Sequence, residues 1–298
     1  MPDELLDGLA VTRKLLADAM ERLCERELGD VEPIVAEAIR YSLLGEGKRL
    51  RGLLVTCAYV ASDGTGDVTE LAASIEVVHA YSLVHDDLPC MDDDSVRRGL
   101  PTVHKAFGVR VASAAGLTMV PMAARSAFRA ARTLGRSLEE SGAIVRVLMR
   151  AAGAGGMIGG QLLDLEAEGR QLALQDLEHV HRAKTGALIS ASVRIGAMAA
   201  QAHETRVRAM GDFGDALGLA FQIADDVLDV TATTDQLGKT AGRDLALRKS
   251  TYPGLLGIDG AIERARSLAN DACAHLTAAG LLTPALQALA RHVVERRS

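Results

Sequence analysis

Through most of this chain, apolar residues come back every three or four positions. Leu71, Ile75 and Val78, continued by Ser82, form one such row; Leu217, Phe221, Ala224 and Leu228 form another. Residues at that spacing share one side of a helix with 3.6 residues per turn. Few segments alternate with period two, so strands are not expected. Ala, Leu, Met, Glu and Arg, all good helix formers, dominate the periodic stretches. The pattern predicts helices over 4–27, 31–44, 48–61, 67–88, 102–132, 137–158, 175–201, 204–230, 249–256, 259–278 and 282–295. Breaks fall where Gly, Pro and Asp gather, at 62–67 and 99–101. The polar stretch 231–248 is read as a mobile loop over a site. Glycines at 153, 155, 156, 159 and 160 give one helical segment a small face suited to close packing.

With 298 residues, 48% of them hydrophobic, the chain can bury a sizeable core. No linker-like stretch divides it, so one domain over 1–298 is expected, all-α in class. A net charge of −6 argues against general nucleic-acid binding, and 3% aromatics with no Trp argue against base-stacking platforms. Cys24, Cys57, Cys90 and Cys273 form no CxxC pair and read as reduced thiols of a cytoplasmic protein. The opening residues do not have the basic-then-apolar form of a signal segment. The longest uncharged run, 111–124, is 14 residues and contains Pro121, too short to span a bilayer.

Two acidic clusters change the picture: Asp86-Asp87-Leu88-Pro89-Cys90-Met91-Asp92-Asp93-Asp94, and Asp225-Asp226-Val227-Leu228-Asp229. Carboxylates this close repel one another unless cations share them. Oxygen donors suit a hard ion such as Mg²⁺, which takes one or two carboxylates and fills its shell with water and substrate phosphate. Asp225 and Asp229, four apart, share a helix face, with Asp226 to the side. Asp86 and Asp92, six apart, do not share one; Pro89 can bend the segment so that they converge. Basic residues follow both clusters: Arg97 and Arg98 after the first, and Lys239, Arg243, Arg248 and Lys249 after the second. Lys48, Arg49 and Arg51 form a basic group at an expected helix start, where phosphate oxygens are readily held. His79 lies two turns before Asp86, and Lys184 and Thr185 lie beside Gly186, where a helix is expected to end or kink.

These residues fall in segments that resemble the trans-isoprenyl diphosphate synthases, among them the bacterial farnesyl diphosphate synthases. The segments are GKRLR at 47–51, HAYSLVHDDLPCMDDDSVRRGLPTVHKAFG at 79–108, GMIGGQLLDLEAEG at 156–169, HRAKTGALI at 181–189, FQIADDVLDV at 221–230, and LGKTAGRD with KSTYPGLLG within 237–257. The resemblance implies an all-α isoprenoid synthase bundle around a deep central cavity, usually as a homodimer. It implies three Mg²⁺ ions, two on Asp86 and Asp92 and one on Asp225, with Asp87, Asp226 and Asp229 in support. Arg97, Lys184, Lys239 and Lys249 would hold the allylic diphosphate, and Thr185 and Gln222 would line the path of its chain. Lys48, Arg51, His79 and Arg98 would hold isopentenyl diphosphate. Ionisation of the allylic diphosphate, attack by the isopentenyl double bond and loss of a proton, taken up by the released diphosphate, would follow. The bulky Tyr81, with Ser82, resembles the floor that stops chain growth at fifteen carbons.

Two departures stand out: Gly116-Leu117 where the family usually has Gly-Asp, and Gly52 where it usually has Pro. Neither removes an expected metal ligand. The alternatives to a farnesyl diphosphate synthase are a geranylgeranyl diphosphate synthase with a deeper cavity, a class I terpene cyclase, and a non-catalytic subunit of a heteromeric synthase. Two Asp-rich clusters and an intact basic group weigh against the cyclase.

Overall fold

The computed structural model describes residues 3–231 and 249–295. They are almost entirely helical, as the apolar period implies. Most of the expected loop at 231–248, with Lys239, Arg243 and Arg248, lies outside the described residues. The chain forms two compact units, Met1–Met149 with Ile195–Ala202, and Arg150–Arg194 with His203–Ser298.

The first unit contains α1 (Asp3–Glu27), α2 (Pro33–Leu44), α3 (Leu50–Ala61) and α4 (Thr69–Asp86). A hairpin of β1 (Val96–Arg97) and β2 (Leu100–Pro101) follows, then α5 (Val103–Phe107), α6 (Val109–Thr133) and α7 (Leu138–Ala152), whose last residues from Arg150 on fall in the second unit. Local chemistry sets the starts. Pro33, with φ already fixed, opens α2. Asp67 accepts from both the amide and the hydroxyl of Thr69 at the head of α4. Ser137 and Glu140 cap each other's amides in a capping box at the head of α7. α4 packs against α1, α3 and α6. It is buried all round, from Leu71 and Ile75 on one side to Ala73, Val77 and Val84 on others. The row seen in the sequence is therefore only part of its buried surface, because the small Ala and Ser residues between carry no strong period.

The second unit contains α8 (Met157–Glu166), α9 (Leu174–His181), a π-helical turn (Arg182–Gly186), α11 (Glu204–Thr231), α12 (Tyr252–Ala278) and α13 (Pro284–Glu295). α10 (Ala187–Ala199) starts in this unit and ends in the first. α11 packs along α12 and α13, burying Phe213, Leu217 and Ile223 with Leu268, Ala272, Leu286 and Leu289.

Several boundaries differ from the sequence expectation. The stretch 102–132 breaks at Gly108, whose φ of 84° ends α5. The stretch 137–158 ends at Ala152; a glycine turn follows, and α8 is a helix the pattern did not separate. The stretch 175–201 is interrupted by the π turn. The expected break between 249–256 and 259–278 is present inside α12, where Gly257, at φ 74°, is non-helical and kinks the chain, although the helix starts only at Tyr252. The four cysteines are free; burial pushes the Cys57 thiol up to about 12 and the Cys24 thiol to about 11. Among the described residues no helix is long and apolar enough to cross a membrane.

Candidate active site

The first acidic cluster begins where α4 stops. Pro89 has no amide hydrogen, so the helix cannot continue through it, and the chain folds back in tight turns. The amides of Leu88, Met91 and Asp93 bond to the carbonyls of His85, Leu88 and Leu88. The amide of Asp92 donates to the carbonyl of Asp86 at 2.8 Å. The six-residue gap is thus closed at the backbone, as Pro89 led us to expect.

Asp87 and Arg97 form the tightest pair here. Asp87 is buried, and Arg97 Nε lies 2.9 Å from both its carboxylate oxygens while Nη2 reaches Oδ1 at 2.5 Å. Nη2 also meets Asp94 Oδ2 at 3.3 Å. Burial works against the charge on Arg97, but the Asp87 carboxylate outweighs it and holds the guanidinium above its usual pKa. Asp94 is therefore part of the cluster rather than a solvated neighbour.

The hairpin separates two adjacent arginines. Arg98 and Gly99, its central residues, have φ of 54° and 76°, the left-handed pair that a two-residue turn of this kind needs. Arg97 pairs with Leu100 in register and reaches Asp87. Arg98 instead donates to the Glu46 carbonyl at 2.7 Å, beside the basic group. A Cβ on Gly47 would lie 2.9 Å from Arg98 Nη1, so the guanidinium rests against bare backbone.

The basic group surrounds His79. Burial first, then the positive charges of Arg51, Arg98, Arg97 and Arg49, hold the His79 pKa well below 6.5. A neutral imidazole amid several guanidinium groups can donate to an anion without being charged beforehand. Lys48 is exposed just ahead of α3. Arg49 belonged to the basic group read from the sequence, whereas Glu76 was not assigned from it. Arg49 takes a left-handed conformation at the α3 N-cap and bonds to the Gly45 carbonyl. Glu76 is buried inside α4 and accepts from the Gly52 amide at 2.8 Å, placing a carboxylate at the positive end of α3. A Glu flanked by the apolar Ile75 and Val77 was the available signal. Gly52 also leaves room there: a Cβ would lie 3.0 Å from Leu16.

Upstream on α4, Tyr81 is buried, with 6% of its surface exposed, and Ser82 donates to the His79 carbonyl at 2.8 Å.

The second unit gathers a different set. Lys184 Nζ and Lys249 Nζ both reach Asp164 Oδ2, at 2.6 and 2.8 Å, and Lys249 lies 3.5 Å from Glu168. Burial would raise the Asp164 pKa, but the two ammonium groups together hold it well below the usual carboxylate range. Asp164 was not assigned a role from the sequence, where one Asp in QLLDLE resembles an ordinary surface residue. Lys184 is held in the π turn, whose backbone meets α8 at Gly160: a Cβ there would lie 2.1 Å from the Lys184 amide nitrogen. The small face of 156–160 does serve close packing at this point.

Thr185 donates to Gln222 Oε1 at 2.9 Å, and Gln222 donates to Asp226 Oδ1 at 3.1 Å. The other oxygen of Asp226 accepts from the Tyr252 amide at 3.1 Å. Asp226 is 3% exposed and Asp229 5% exposed, whereas Asp225 is half-buried on the face it shares with Asp229. Asp226 thus ties α11 to the first turn of α12. Lys239 lies outside the described residues.

The donor set suits a hard divalent ion: the clusters offer carboxylate oxygens, and neither imidazole nor buried thiol belongs to them. Among the described residues, no three His, Cys, Asp or Glu side chains make a ready metal cage. Two carboxylates completed by water and phosphate is the coordination Mg²⁺ takes.

The Polyprenyl synthetase family profile matches residues 32–280. The chain is 44% identical over 267 residues to farnesyl diphosphate synthase of Escherichia coli K12, covering 88% of this chain and 89% of that protein. It is 43% identical over 244 residues to a chloroplastic geranylgeranyl pyrophosphate synthase of Catharanthus roseus, covering 81% of this chain and 68% of that protein. A solved structure of a Helicobacter pylori geranyltransferase, complexed with magnesium and isoprenyl diphosphate, matches with a TM-score of 0.79 at 30% identity, covering 96% of each chain. A profile spanning both acidic clusters and the basic group, with relatives this similar over most of their length, leaves one conclusion: this chain belongs to the polyprenyl synthetase family and is a prenyltransferase.

Proposed function

We propose that the chain is a farnesyl diphosphate synthase, joining isopentenyl diphosphate to dimethylallyl and then geranyl diphosphate. The observation that carries this reading is Tyr81, a bulky buried side chain five residues before Asp86, in a chain 44% identical to a farnesyl diphosphate synthase. A geranylgeranyl product is the second reading, favoured by the 43% identical chloroplastic relative.

In this reading Asp86 and Asp92 hold two Mg²⁺ ions and Asp225 a third, with Asp87, Asp226 and Asp229 fixing the backbone and cations around them. Bound Mg²⁺ supplies positive charge to the leaving diphosphate. Lys184 and Lys249, preset on Asp164, and the Nη1 edge of Arg97 add fixed charge at the same group, together with Lys239. Such preorganised cations favour rupture of the allylic C–O bond, because they need not reorient as negative charge develops. Lys48, Arg51, His79 and Arg98 hold isopentenyl diphosphate so that its double bond attacks the allylic cation. One C–O bond breaks, one C–C bond forms, and a proton passes to the released diphosphate as a double bond is restored. The Thr185–Gln222 pair presents oxygen atoms along the allylic chain, and the apolar α4 wall excludes water that would quench the cation.

We place both compact units in one synthetase domain, working as a cytoplasmic homodimer. Support for the dimer comes from an exposed apolar row on α6, Leu117, Pro121, Ala124 and Phe128, with Leu117 67% exposed where the family usually has Asp. The row runs into a groove of about 530 Å³ that includes Gly142 and Val145 of α7.

The deciding experiment incubates purified protein with Mg²⁺, labelled isopentenyl diphosphate and each allylic starter, and sizes the products. Fifteen-carbon product that disappears with chelator is expected, and Tyr81→Ala should lengthen it. Turnover of an allylic diphosphate without isopentenyl diphosphate would point to a cyclase, and no turnover to a partner subunit.

A further inference from the structure

We propose that His85 is a positioning residue for product length, locking the Tyr81 ring in place by seating itself in a notch at Gly116. The inference rests on the reading of Tyr81 as the floor. A tyrosine ring turns about two side-chain bonds, so burial alone does not make it a fixed wall. Tyr81 and His85 are four apart on α4 and therefore neighbours on one face. Their rings meet edge to face, with centroids 5.0 Å apart and planes at 70°. Such a contact favours one ring orientation over others.

His85 is itself held. Its Nε2 lies 3.3 Å from the Ser113 carbonyl on α6. A Cβ on Gly116 would lie 2.1 Å from His85 Nε2 and 2.3 Å from Cδ2, so the imidazole fills the space a side chain would need. Both approaches come from α6, the helix packed on α4. The order of dependence runs from the missing side chain at 116, through the His85 ring, to the face of Tyr81. His85 also immediately precedes Asp86. Loss of metal positioning would lower turnover for all products alike, whereas loss of the ring lock changes their ratio.

The test compares product ratios at matched turnover for wild type, His85→Ala, His85→Phe, Gly116→Ala, Tyr81→Ala and the His85→Ala/Tyr81→Ala double variant. His85→Ala should raise the ratio of twenty-carbon to fifteen-carbon product by roughly tenfold, the scale on which a pocket wall discriminates between chain lengths. His85→Phe keeps the ring contact and should stay near wild type. The double variant should make chains no longer than Tyr81→Ala alone makes. If Tyr81→Ala lengthens the product while His85→Ala leaves the wild-type ratio, the lock is refuted and the floor stands. If Tyr81→Ala changes nothing, the floor reading fails and takes the lock with it. Should His85→Ala not fold, Gly116→Ala decides: a changed ratio supports the lock and a wild-type ratio overturns it.

Discussion

Asp164→Asn should cost this protein about 2 kcal/mol. The carboxylate accepts two charge-assisted hydrogen bonds on one oxygen, from Lys184 at 2.6 Å and Lys249 at 2.8 Å. The three side chains are 14%, 24% and 12% exposed, so solvent screens them only partly. Hydrogen bonds to charged groups contribute about 1.5–3 kcal/mol each. An Asn oxygen can still accept from one lysine, which removes about half of the summed 3–6 kcal/mol. The sign of the pH dependence follows from the depressed carboxyl pKa. Asp164 contributes fully above its unfolded value, about 4, and the contribution is lost as pH falls further toward its folded value. The gap between wild type and variant should therefore be widest near neutral pH and close in strong acid. Urea unfolding at pH 7 and below pH 4 measures both. A loss under about 1 kcal/mol at pH 7, or a gap unchanged in acid, would refute the reasoning. Inorganic diphosphate with Mg²⁺ should restore part of the lost stability, since an anion bound by the folded state alone stabilises it by mass action.

Two further outcomes test other parts of the second unit. Burial lowers the His181 pKa to about 4, so below pH 6.5 the unfolded chain takes up a proton that the folded one refuses. Stability should fall as pH drops from 6.5 to 4, by about 3 kcal/mol in all. His181→Phe, which keeps a ring beside Tyr252, should remove that slope, and an unchanged slope in pH-dependent unfolding would sink the assignment. Gly160→Ala forces a Cβ to within 2.1 Å of the Lys184 nitrogen; overpacking of this kind costs about 1–3 kcal/mol. It should also raise KM for the allylic substrate more than for isopentenyl diphosphate, as steady-state kinetics would reveal.

Local chemistry was legible from the chain and long-range partnership was not. The period of α11 placed Asp225 and Asp229 together, and Pro89 implied the fold-back that joins Asp92 to Asp86. Asp226 was placed beside them as metal support, yet it is buried against Tyr252, a partner 26 residues away. Lys184 and Lys249 share a carboxylate with Asp164 that no local pattern marks. Arg97 was assigned to substrate phosphate, and the structure shows how it is held first: by Asp87, at the end of a hairpin too short for periodicity to detect. Positive-φ glycines break the helical run at both Gly108 and Gly257, and the sequence pattern marked only the second of these breaks.

The reversal at Arg98-Gly99 makes length, more than composition, the sensitive property of residues 95–101. Arg97 projects from the strand end and Arg98 from the turn, so inserting or deleting one residue would shift the register and move both guanidinium groups away from their partners in a single event. Substitutions in this stretch remove one anchor at a time, whereas a change of length would misdirect two.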